Sequence, residues 1–117
     1  MTHEEKKVAK IVEELTLFFF AIGAEHMESG ISRKENQVII TFEADYLPEY
    51  EDKIQSLEKY MNEPKNEGFE DIYWELAGSG DPGESSQLLL IGMMIDKAEI
   101  EHGEKCVKMK LYKELLD

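Results

Sequence analysis

Gly78, Gly80 and Gly83 form a G-x-G-x-x-G spacing ahead of an apolar stretch. Glycines at these intervals let a backbone come close to a phosphate, and the free amides and dipole of a following helix would hold its charge. Ser85 or Ser86 would cap that helix, whose apolar residues are Leu88, Leu89, Ile91, Met94 and Ile95. The context differs from a dinucleotide-binding turn. No β-α-β unit opens the chain, and Asp81 and Glu84 put negative charge where a pyrophosphate would lie. The segment reads first as a plain flexible loop, and second as an anion or nucleotide contact made by Gly78, Gly80, Gly83, Ser85 and Ser86.

Other reactive side chains are sparse. His3, His26 and His102 lack the close helical spacing of a zinc pair, and Cys106 is the single cysteine, which excludes an internal disulfide and a multi-cysteine metal site. Glu13 with Glu14, or Glu49 with Glu51 and Asp52, supply oxygens for a divalent ion, but charge runs of this kind are usually solvated helix faces. Cys106 reads as a small packing residue in or beside a sheet. No Ser-His-Asp or Cys-His arrangement can be chosen from spacing.

The elements that would position these groups follow from periodicity. Thr2 and Glu5 have the spacing of a capping box, so a helix starts near His3. Val8, Ile11, Val12, Leu15, Phe18, Phe19 and Ile22 recur at three and four, and Leu17 and Phe20 widen the apolar surface beyond one stripe. The Phe18 to Phe20 run reads as core, with any exposed part available to a partner. Val38, Ile40, Phe42 and Ala44 alternate with more polar neighbours, which predicts a strand in a hairpin turning near Glu35 and Asn36. Pro48 suits a first helical turn, and Tyr50, Ile54, Leu57 and Met61 mark the apolar face of the helix it starts. Residues 69–77 match both helix and strand, and a short helix stopped at Gly78 is the preferred reading. Ala98 and Ile100, a turn around His102 and Gly103, and Val107, Met109 and Leu111 read as a second hairpin. This order predicts an α+β two-layer sandwich, a mainly antiparallel sheet with helices on one face.

Composition bounds the function. The chain has 117 residues, 13 Lys plus Arg and 26 Asp plus Glu, for a net charge of −13, with 42% hydrophobic residues. One domain spanning 1–117 suits that length. The acidic excess repels phosphate backbones and anionic lipid, so the expected partner is a protein and neither nucleic acid nor membrane; the acidity reads first as a solvated, solubilising surface and second as a landing site for a basic partner. Between Glu43 and Glu75 there are eleven acids and three bases, a local net of −8. The apolar run from Leu15 to Ala24 is short of the roughly 20 residues a span requires. A reducing cytoplasm is the expected compartment.

With these elements in order, the chain resembles the histidine-kinase-like ATPase domains of the Bergerat fold, most nearly the small cytoplasmic serine-kinase anti-sigma factors. The resemblance runs from about Glu5 to Lys113. It is carried by Gly78-Ser-Gly-Asp-Pro-Gly83 leading into Leu88 to Ile95, by the acidic turn Asp96-Lys-Ala-Glu-Ile-Glu101 and by the closing Val107 to Tyr112. Glu13-Glu14 in the first helix and the strand ending Glu43-Ala-Asp45 match the family's earlier portion. The resemblance implies an ATP site in which Glu14 sits on the first helix and Asp45 accepts from the adenine amino group.

Departures from the family then shape the expected function. A glutamate followed four residues later by a magnesium-binding asparagine is the family's pattern, whereas Glu13 leads to Leu17 and Glu14 to Phe18. The Asp-x-Gly-x-Gly turn is replaced by Asp45-Tyr-Leu-Pro-Glu49. ATP would enter an acidic site without its cation. The expectation is a degenerate kinase-like regulatory domain that binds another protein, with no catalytic residues, metal or cofactor. The alternative is an active or weakly active serine kinase that binds ATP and magnesium with substitute carboxylates.

Overall fold

The computed structural model describes residues 3–62, 91, 92 and 94–115. Helix α1 spans His3–Ala21, hairpin β1–β2 spans Met27–Lys34 and Gln37–Asp45, a 3-10 turn at Pro48–Tyr50 leads into α2 at Glu51–Asn62, and hairpin β3–β4 spans Lys97–Gly103 and Cys106–Glu114. Residues 91, 92 and 94 are helical. Thr2, residues 69–77 and the glycine and serine loop all lie outside the described residues.

Among the described residues both hairpins join one four-stranded antiparallel sheet in the order β1-β2-β4-β3. Strict alternation explains why β2 and β4 are central. Val38, Ile40, Phe42 and Ala44 face the same side as Val107, Met109 and Leu111, and all seven are buried. The stripe of α1, Val8, Ile11, Leu15, Phe18, Phe19 and Ile22, packs with Ile54, Leu57 and Met61 of α2 onto that side as one core. An α+β architecture with helices laid on one sheet face results.

Chain reversals take two forms. Gly23, after α1, has φ 84°, a backbone conformation that calls for glycine, and a Cβ there would stand 2.5 Å from Cδ1 of the exposed Leu47 side chain, which would have to turn aside. Both hairpin turns instead put a charged residue in the left-handed region, Glu35 at φ 56° and Lys105 at φ 61°. The first turn lies at Glu35 and Asn36 as the alternation predicts. The second does not: His102 and Gly103 belong to β3, paired with Val107 and Cys106, and the reversal falls at Glu104 and Lys105. Ladder pairing carries β3 through His102 to the turn-forming glycine itself, and the same pairing makes the expected acidic turn at 96–101 a strand from Lys97 onward.

Candidate functional site

Asp45 ends β2 beside the connection between α1 and β1. Its Oδ1 accepts the backbone amides of Glu25 at 2.8 Å and His26 at 3.1 Å. These bonds, chiefly that from His26, hold its carboxyl below the ordinary range. Short aspartate side chains satisfy nearby amides well at chain reversals. One oxygen of the Asp45 carboxylate is therefore engaged in fixing a connection. Asp45→Ala should cost about 1–2 kcal/mol in chemical denaturation, the value of two exposed charge-assisted bonds.

Glu14 is buried at 6% exposure on α1, with Lys10 Nζ at 3.0 Å from its Oε1. Glu14, accepting from Lys10, raises the lysine above its usual range. Glu13 lies near the same ammonium at 3.5 Å. One lysine thus serves both carboxylates, and Leu17 and Phe18 supply no further oxygen on that helix. Among the described residues no group of three His, Cys, Asp or Glu side chains is arranged to hold a metal ion. Glu14 and Asp45 each have a local partner, on α1 and just ahead of β1 respectively. Gly78, Gly80, Gly83, Ser85 and Ser86 lie outside the described residues.

Two arrangements have no local sequence signal. The first joins β3 to α2. The Tyr46 hydroxyl lies 2.5 Å from Glu51 Oε2 and 2.6 Å from His102 Nε2, and His102 lies 2.9 Å from Glu51 through Nε2 and 3.1 Å from Glu58 through Nδ1. Burial, followed by Glu51, pushes the Tyr46 hydroxyl upward, so it stays a donor. Tyr46 and His102 are 56 residues apart, so periodicity cannot pair them.

The second arrangement is the sheet face away from the helices. Register brings Glu28, Glu43, Lys108 and Glu101 into one row across all four strands, with Gly30, Thr41, Lys110 and Glu99 in the next. A depression of about 360 Å³ lies over these rows. Gly30 keeps its floor low, since a Cβ there would meet Thr41 Oγ1 at 2.8 Å. Lys108 reaches Glu43 at 3.9 Å, and Tyr112 donates to Glu99 at 2.6 Å, which holds that carboxyl low. Four carboxylates surround two ammonium groups, which gives the depression a negative balance.

No described helix is long and apolar enough to cross a membrane. No family model, no curated protein and no solved structure matches this chain.

Proposed function

We propose that this protein is a kinase-like regulatory domain that works by binding a basic protein partner, without phosphoryl transfer. The observation that carries the reading is the exposed sheet face, with Glu28, Glu43, Glu99 and Glu101 around Lys108 and Lys110. A pleated surface with four carboxylates around two ammonium groups suits a protein surface of complementary charge, and steering by a net charge of −13 favours a cationic one. The engagement of Asp45 by two amides and of Glu14 by Lys10 supports the absence of ATP chemistry.

Affinity capture from the native cell at low salt tests the reading with wild type beside a Glu43→Lys, Glu101→Lys variant. A basic protein retained by wild type should elute with salt, and its retention should fall at least about tenfold on the variant, because like charges would then face each other. Equal retention on both forms would contradict the assignment of the sheet face.

A further inference from the structure

We infer that this chain forms a two-fold homodimer by pairing β1 with β1 of a second copy, continuing the sheet across both molecules. Among the described residues β1 is an edge strand of eight residues, without proline, and Glu28, Ser29 and residues 31–34 are exposed. Such an edge is a template for another strand.

The ladder fixes which groups face outward. The Asp45 amide donates to the His26 carbonyl, which makes that pair a hydrogen-bonded one. Alternation along an antiparallel ladder then commits Glu28, Gly30, Ser32 and Lys34 to β2. Ser29, Ile31 and Arg33 direct their amides and carbonyls away from the sheet.

Only pairings that keep both copies' helices on the same sheet face are open to a two-fold axis normal to the sheet, and the axis must then pass beside a single residue. Centred on Ile31, the pairing sets Ile31 against Ile31, Ser29 against Arg33 and Glu28 against Lys34, the last pair twice. Ile31 lies on the helix-bearing face, opposite Ile40, yet is 57% exposed in the single chain. A second Ile31 would cover it. Glu28 and Lys34 lie on the opposite face, so both charge pairs form at the rim of the exposed depression. Centring on Gly30 would place Ser29 against Ile31 and leave Lys34 without Glu28. Charge and apolar complementarity therefore select the second copy and its register together.

The neighbouring helix is consistent with this arrangement. Arg33 lies 3.9 Å from Glu5 of α1, so that flank of the helix overlooks the β1 edge. Phe20, 63% exposed, falls within about 60° of Glu5 around the helix at 100° per residue.

Sedimentation equilibrium between about 1 and 100 µM should show a monomer–dimer equilibrium. Glu28→Lys should raise the dissociation constant at least about tenfold, and the Glu28→Lys, Lys34→Glu exchange should restore it, because the pairs reform with reversed sign. Circular dichroism establishes that each variant is folded. In a Cys106→Ala background, Ile31→Cys should cross-link on oxidation, since opposed Cα atoms of an antiparallel pair stand about 4.5–5.5 Å apart, within disulfide reach. Glu99→Cys on the other edge should not. A monomer throughout the concentration range, or a dimer indifferent to both the charge exchange and Ile31→Cys, would overturn the proposal.

Discussion

Phe19→Ala will lower the free energy of unfolding by about 3–5 kcal/mol, the range for a fully buried phenylalanine whose site cannot collapse. Phe19 is 0% exposed and sits between two other rings. It is stacked on Phe42 at 5.4 Å between centroids and edge-on to Phe18 at 5.2 Å. Truncation leaves a hole bordered by a helix on one side and the central strand β2 on the other, two elements that cannot close it without moving together. Phe19→Leu keeps most of the volume and should cost about half as much. Urea titration measures both, and a loss below about 1 kcal/mol for Phe19→Ala would show that the α1 face is exposed.

Lys113→Ala should produce the second largest loss, about 2–4 kcal/mol. Alternation in β4 points Lys113 inward, where it is 8% exposed and its ammonium lies 2.7 Å from Glu4 in the first turn of α1. Removal leaves the Glu4 carboxylate, at 15% side-chain exposure, with only Lys7 at 3.2 Å. The Lys113 hydrogen bond holds Glu4 below the ordinary carboxylate range. A carboxyl lowered in the folded state stabilises it above the unfolded value, near 4.3, and that contribution is lost as pH falls through the folded one. Asp45, lowered by the His26 amide, acts in the same direction. Wild type should therefore lose stability on acidification below about pH 4, and Lys113→Met should show a shallower loss there, by denaturation at a series of pH values.

Much of this architecture is legible in local periodicity. The α1 stripe, the alternation in β2 and β4 and the apolar face of α2 bury most of the residues that the sequence marks, with Val12 and Tyr50 half-buried and Phe20, read as core with its neighbours, exposed. Strand β1, with residues Met27–Lys34, has no alternation of its own and becomes visible only as the partner that β2 requires. The misplaced second turn has a similar cause. Gly103 is the conventional turn residue, but pairing with Cys106 outweighs local preference, and Lys105 accepts the left-handed conformation.

The candidate site was less legible, because its chemistry depends on what lies across the fold. Asp45 is identified by position at a strand end, but its use is decided by the amides of Glu25 and His26, about twenty residues earlier. The Tyr46, Glu51, Glu58 and His102 network joins a helix to an edge strand and leaves no spacing signal. Similarly, the charge rows on the open sheet face follow from register between four strands, and to these rows β3 alone contributes only glutamates and β4 only lysines, set between less polar neighbours.

Titration calorimetry of the purified protein with ATP and magnesium tests the central claim most directly. Phosphoryl transfer relies on positioning and on a cation between the phosphates, and under the proposed kinase-like reading Leu17 and Phe18 stand where the resemblance would put a metal ligand. The predicted result is no heat of binding beyond dilution, together with no magnesium-dependent hydrolysis above background. Micromolar ATP binding that requires magnesium and disappears in a Gly80→Ala, Gly83→Ala variant would contradict the account and establish a nucleotide-binding enzyme in its place.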